Sequence, residues 1–260
     1  MLMDAKLKDK VTLITGVGGG IGRAFLDHLK GKVKVLISAS RSSEGEISGD
    51  TQSTSNLRHY SLDLTDEMNV KNLMMKITDD FGQLDIVINT IGGSLYSHKI
   101  EAFPLNEFHE VINLNLTTAF LLTRETILSM KDNKMGGHIV HIVSAAAKKI
   151  SKNKAPYGIA KAGLVKLIGY AATETADYNI KINGITPAYV FTPRHEHEIE
   201  KKSHETGIDV GELINQKMNS QLLKKPIYPK DLIPLLDLLI TTEAITGQVF
   251  NCTMGKILTY

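Results

Sequence analysis

Short β-branched runs alternate along this chain with longer amphipathic stretches, and few folds can satisfy that alternation. Residues 11–15, 33–38, 57–62, 85–89, 138–143, 180–185 and 248–252 read as strands. Residues 21–30, 66–81, 105–130 and 156–178 read as helices between them. Strand–helix repetition of this kind is the signature of a mostly parallel sheet with helices on both faces, a doubly wound α/β domain. Residues 41–56 are rich in Ser, Gly and Thr and read as a loop. Residues 192–223 are polar, charged and weakly periodic, which suggests an exposed helical insertion. No repeat or hinge divides the chain, so residues 1–260 are expected to form one domain.

Composition narrows the function classes. Of 260 residues, 42% are hydrophobic and 22% charged, as in ordinary globular proteins. A net charge of +2 implies neither a nucleic-acid partner nor a membrane surface. The single cysteine excludes a disulfide framework and a multi-cysteine zinc site. The first ten residues lack the apolar core of a secretory signal. The apolar stretch 232–240 is short and interrupted by Pro234 and Asp237, so no membrane span is expected. The expected location is cytoplasmic.

Thr15-Gly16-Val17-Gly18-Gly19-Gly20-Ile21-Gly22 lies between the first strand and the first helix. Glycines there permit positive φ and close backbone approach, and the helix N-terminus beyond them favours an anion. Tyr157 and Lys161, four residues apart at the start of a helix, share one face. An ammonium near a phenol favours the phenolate and makes the tyrosine usable as an acid/base. Ser144 ends the fifth strand, at the sheet edge where open α/β domains bind ligands, and its hydroxyl could meet a substrate carbonyl. A strand-end or capping serine is the plainer alternative. Asn115 places an amide inside a long helix, where it needs a partner, whether a ligand or a neighbouring helix.

Taken in order, these residues resemble the short-chain dehydrogenase/reductase family over about residues 8–255. Asn89-Thr90-Ile91-Gly92 resembles its Asn-Asn-Ala-Gly motif, and 183–192, with Pro187 and Thr192, its Asn…Pro-Gly…Thr segment. Asp63 stands where members hold adenine. The resemblance implies a Rossmann-type domain that binds a dinucleotide through Gly16, Gly20, Ile21, Gly22, Ser40, Arg41, Asp63, Asn89, Gly92, Lys161, Pro187 and Thr192. It also implies a catalytic tetrad: Tyr157 as acid/base, Lys161 tuning it and binding ribose, Ser144 orienting the carbonyl, Asn115 holding a relay water. Thr90, Ala188 and Met254 depart from the family pattern.

Members that choose NAD place a carboxylate at the end of the second strand. Here the spacing from Gly22 puts Ser40 at that position, followed by Arg41, which suits the 2′-phosphate of NADP through charge-assisted bonds. NADP is therefore expected and NAD is the lesser alternative. The expected reaction is hydride transfer between NADP(H) and a carbonyl or secondary alcohol, first reading a 3-oxoacyl thioester. A sugar, polyol or steroid-like alcohol stays open, as does, in a different class, a non-catalytic cofactor-binding scaffold. Segment 192–223 is expected to be a lid over the substrate. The helix over 156–178 carries Ala160, Ala162, Leu164, Leu167, Ala171 and Ala172 on more than one face, and with the resemblance this implies a homotetramer.

Other features read as ordinary surface or core. His195, Glu196, His197 and His204 sit in the charged insertion and read as a solvated helix face, so no metal is expected. Cys252 reads as core. Lys148, Lys149, Lys152 and Lys154 read as a solvated loop, with steering of an anionic substrate as the alternative.

Overall fold

Strand β1 (Val11–Thr15) is buried at all five positions, which only a strand covered on both faces can be. The computed structural model that places it describes residues 2–41, 56–131 and 136–258. With β2 (Val35–Ser40), β3 (Leu57–Ser61), β4 (Ile86–Asn89), β5 (Gly137–Ile142), β6 (Ile180–Pro187) and β7 (Val249–Cys252), it forms a sheet in the order β3-β2-β1-β4-β5-β6-β7. Every pairing is parallel. The order reverses between β1 and β4, so the connections leaving these two strands diverge and open a crevice at their carboxyl ends.

The helices are α1 (Leu2–Leu7), α2 (Gly20–Leu29), α3 (Glu67–Phe81), α4 (Leu105–Ile112), α5 (Thr118–Met130), α6 (Ala155–Glu174), α7 (Pro193–Thr206), α8 (Val210–Met218) and α9 (Ile233–Thr241). Alternate residues of each strand point to opposite faces. Leu13 and Val87 pack with Val70 and Ile77 of α3, Leu122 of α5 and Leu164 and Ile168 of α6. Ile14, Ile86 and Ile88 pack instead with Phe25 and Leu29 of α2 and Leu236 and Leu239 of α9. The expected single doubly wound domain, with helices on both faces of a mostly parallel sheet, is what forms.

Three local features differ from the sequence reading. Strand β2 runs two residues later than expected, because Val33 plugs the core from the preceding turn and its carbonyl accepts from Asn56 Nδ2 at 2.9 Å. Ser40 therefore ends the strand. The stretch around Pro234 is a helix, α9, since a proline in a first turn lacks only an N–H that would be unpaired anyway. The helix expected over 105–130 is continuous but contains a π-turn at Asn113–Thr117. Residues 192–223 contain α7 and α8, both largely polar on their outer faces. Most of the expected 41–56 loop lies outside the described residues. Among the described residues no helix is long and apolar enough to cross a membrane.

Asp85 fixes the amino end of the sheet. Its carboxylate, 3% exposed, accepts from the Val11 N–H at 2.8 Å, from Lys10 Nζ at 3.1 Å and from Gln83 Nε2 at 2.8 Å. Asp85→Ala leaves a buried donor unpaired and is expected to cost about 2 kcal/mol, typical of hydrogen bonds to a charged group. The check is the urea midpoint, which should fall while kcat changes little, since the carboxyl-end crevice lies at the opposite edge.

Candidate active site

The crevice between β1 and β4 is walled on one side by the glycine turn. The Gly16 N–H donates to Ala39 O at 2.9 Å and the Gly19 N–H to Gly16 O at 3.0 Å, which coils the chain tightly into α2. Gly16 has φ +80°, and a Cβ there would stand 2.8 Å from Thr90 Oγ1. A Cβ on Gly22 would stand 2.6 Å from Gly16 O, and one on Gly20 would stand 2.6 Å from Thr192 Cβ. Gly19 caps α2 without a side chain, and its first turn carries no acid. The N–H groups of Gly20, Ile21 and Gly22 are thus the free positive end of a helix.

At the end of β2, Ser40 is 8% exposed and among the described residues its Oγ has no hydrogen-bond partner, an expensive state for a buried hydroxyl. Arg41 beside it is exposed. Asp63, following β3, accepts from the Thr65 N–H at 2.9 Å and the Thr65 hydroxyl at 2.8 Å. These bonds, the backbone one foremost, hold its carboxyl below the usual range, with Arg41 contributing.

On the β4 side, Asn89 Oδ1 accepts from the Thr15 hydroxyl and the Ile91 N–H, both at 3.0 Å. Thr90, where the family motif has Asn, donates to Thr15 O at 2.7 Å and so ties the β4 exit to the glycine turn. Gly92 has φ +151°, and a Cβ there would stand 2.6 Å from Asn115 Oδ1 and 2.9 Å from Lys161 Nζ. That one measurement brings three of the expected residues together.

Asn115 lies in the π-turn and is 1% exposed. Its Nδ2 donates to Gly93 O and to Val111 O, each at 2.9 Å, and its Oδ1 accepts from the Gly93 N–H at 3.0 Å. The amide therefore clamps the β4 loop, and both its hydrogens are engaged by protein. A π-turn inside a helix is frequent at functional sites because it re-aims one residue.

Helix α6 begins at Ala155 with a proline in its first turn, and presents Tyr157 and Lys161 one turn apart. Lys161 Nζ lies 5.9 Å from the Tyr157 ring centroid and donates to Ile142 O at 3.0 Å. Burial lowers the ammonium to about 8. Ser144 Oγ accepts from the Ala146 N–H at 3.1 Å, which leaves its own hydrogen for Tyr157. Burial raises Tyr157, and the Ser144 bond opposes that rise. Desolvation, with no charge from Lys161 to offset it, thus dominates where the sequence reading expected Lys161 to lower the phenol.

Pro187 ends β6, and Thr192 caps α7 at 6% exposure against the glycine turn. Ala188, where the family has Gly, has no positive φ, whereas Met254 does, at +50°. His195 Nδ1 donates to Val190 O at 2.7 Å and packs on Tyr189, so it braces this corner. Among the described residues no three His, Cys, Asp or Glu side chains converge to hold a metal. The sequence reading did not single out Thr90 as a link, nor His141, Gly93 and Tyr189. The one signal was two histidines inside an apolar strand run.

Comparison with known proteins accords with this geometry. The short chain dehydrogenase profile matches residues 10–203. D-beta-hydroxybutyrate dehydrogenase of Rhizobium meliloti is 32% identical over 248 residues, 92% of this chain and 95% of the relative. The solved structure of levodione reductase superposes with a TM-score of 0.86 at 26% identity, covering 98% of this chain and 100% of that one. ElxO, solved with NADP bound, gives a TM-score of 0.84 at 26% identity over 95% and 98% of the two chains. This chain belongs to the short-chain dehydrogenase family and is an oxidoreductase that acts on CH–OH groups and the corresponding ketones.

Proposed function

We propose that this enzyme transfers hydride between NADP(H) and the carbonyl of a 3-oxoacyl substrate, with Tyr157, Lys161, Ser144 and Asn115 as its working residues. The observation that carries the reading is their convergence on one spot, where Gly92 has room for no side chain beside Lys161 and Asn115. The residues present fit a dinucleotide: a glycine cradle that any Cβ would fill, a free helix N-terminus, and an orphaned buried hydroxyl at Ser40. Gly16, Gly20, Ile21 and Gly22 would hold the diphosphate, Ser40 and Arg41 the 2′-phosphate, and Asp63 the adenine. Asn89, Gly92, Lys161, Pro187 and Thr192 would line the nicotinamide half. The bound cofactor supplies or accepts the hydride.

The protein's share is proton handling and orientation. When substrate binds, the Ser144 hydroxyl would turn its one hydrogen from Tyr157 to the substrate oxygen and hold that oxygen beside Tyr157. Tyr157 Oη gives its proton to that oxygen in reduction and takes it back in oxidation. Lys161, its ammonium lowered by burial to about 8, would bind ribose, and the family resemblance gives it the tuning of Tyr157 as well, against the burial that raises the phenol. Asn115 holds the Gly93 backbone in place and, in this reading, its free Oδ1 lone pair faces a relay water.

Lysines support the anionic, acyl-bearing substrate. Lys154, three residues before Tyr157, donates to Tyr96 O at 3.1 Å, and Lys217 of α8 lies 4.8 Å above the Tyr189 ring. Burial lowers both Lys154 and Lys256, and each feels the charge of Lys217, a crowding that an anion would relieve. Glu198, paired with Arg194 at 2.8 Å, opposes this shift at Lys154. A free 3-hydroxy acid fits this mouth as well, and the name of the Rhizobium relative favours it as the second reading. Residues 192–223 act as the lid that closes over it.

The enzyme works as a homotetramer. Ile159 and Tyr170 on α6 are 54% and 69% exposed, and Phe120 and Leu128 on α5 are 46% and 56% exposed, apolar surface that a second copy would bury. Light scattering at micromolar concentration should return four times the chain mass, and a monomer would refute this.

Tyr157→Phe keeps the ring and loses the oxygen. Turnover of acetoacetyl thioester and acetoacetate should fall at least the 10²–10⁴-fold typical of an acid–base group, with NADPH affinity nearly unchanged. Turnover within about tenfold of the parent would sink the Tyr157 assignment, and a parent that turns over no carbonyl would return the scaffold alternative. For the cofactor, kcat/KM for NADPH should exceed that for NADH by about 1–3 kcal/mol, the range for a hydrogen bond to a charged group. Arg41→Ala should erase most of the difference. Equal efficiencies in the parent would count against NADP.

A further inference from the structure

His141 of β5 is fully buried, at 0% exposure, on the same strand face as the aliphatic Ile139. An imidazole there needs partners for both nitrogens, and it has two. Its Nδ1 lies 3.2 Å from Asn89 Nδ2 and its Nε2 lies 3.1 Å from Thr123 Oγ1.

Donor and acceptor roles follow from the ends of the chain inward. The Ile91 N–H can only donate, and it points at the Asn89 side-chain oxygen at 3.0 Å. The Asn89 NH₂ must then face His141, so Nδ1 is the acceptor and carries no proton. At the other end the Thr123 hydroxyl donates to Ala119 O at 2.7 Å. Its oxygen is left to accept, so Nε2 carries the hydrogen. Every group between Ala119 and Ile91 has one role and no alternative. A second proton on His141 would set Nδ1–H against Nδ2–H. Burial foremost, and then the Lys161 charge, hold its pKa at about 3, so this does not occur near neutrality.

Asn89 is where this chain meets the site. Its oxygen also accepts from Thr15 at 3.0 Å, and the residues that follow it tie down both walls of the crevice: Thr90 to the glycine turn, Gly92 against Lys161 and Asn115. We propose that His141 is a positioning residue: its single tautomer fixes the Asn89 amide, and through it the 90–93 wall that sets the distance between bound nicotinamide and Tyr157. The inference rests on the hydride-transfer reading above, and His141 itself touches neither cofactor nor substrate.

Two measurements test it on the intact enzyme. Nitrogen-15 NMR of the histidine rings, with His141 assigned from the spectrum of His141→Phe or Thr123→Val, should show Nδ1 unprotonated and Nε2 protonated at neutral pH. A protonated Nδ1, or two tautomers in exchange, overturns the proposal. Thr123→Val removes the acceptor of Nε2–H together with the hydroxyl bond to Ala119 O and keeps the side-chain shape, so it should fold even where His141→Phe does not. It should lower kcat severalfold, and a folded His141→Phe roughly 10–100-fold, as a misplacement of reacting groups of about 1 Å would. NADPH carrying deuterium at the transferred position should give a larger isotope effect on kcat in Thr123→Val than in the parent, because hydride transfer becomes slower. A merely structural role would lower thermal stability and leave kcat and the isotope effect unmoved, and that result overturns the proposal. The parent and Tyr157→Phe separate the two failures: a parent without NADPH-dependent turnover sinks the hydride-transfer reading, whereas parental turnover that Tyr157→Phe loses and Thr123→Val leaves unaffected sinks His141 alone.

Discussion

A buried ammonium organises the site. Lys161 is 2% exposed, and among the described residues its Nζ donates to the Ile142 carbonyl at 3.0 Å. Taking a cation out of water without a carboxylate costs several kcal/mol, and part of that cost appears as a lowered pKa. The surrounding chain is shaped to keep this charge beside Tyr157. Gly92 gives up its side chain to it, Asn115 closes the loop over it, and His141 remains neutral partly because of it.

The remainder of the fold brings four sequence-distant segments to that charge. Reversal of strand order between β1 and β4 opens the crevice, and the glycine turn and the 90–93 segment are its two lips. They are stitched directly by Thr90 and Asn89, which reach back to β1. The π-turn and α6 meet where Gly163 lets Leu116 approach, a Cβ there standing 2.9 Å from Leu116 Cδ2. Positions that must not carry a Cβ thus mark each contact between these segments, which is why glycine recurs at them.

Much of this was legible in the sequence. The five inner strands cover apolar runs buried on both faces, so their pattern alone identifies them, whereas the edge strands β3 and β7 are only partly buried. The order Gly turn, Asn115, Ser144, Tyr157-x3-Lys161 supplies the proposed site residues. The register of β2 was misread because Val33 looks like strand yet fills a turn, and only the pairing with β3 decides that. The helix at Pro234 was passed over because proline reads as a breaker wherever its place in the helix is unknown. Neither failure touches the chemistry, since both lie in the scaffold.

By itself the sequence determined the alternation that requires a parallel sheet, the glycines that must approach other atoms closely, and the groups proposed to handle the proton. Those are properties of single residues and short spacings. Tertiary structure alone decided the polarity of the Ala119-to-Ile91 hydrogen-bond chain, the π-turn that aims Asn115 at Gly93, and the opposing shifts of Tyr157 and Lys161. Each of these depends on how much water is excluded and on which groups from distant segments meet, and burial and partnership are set only when the layers pack.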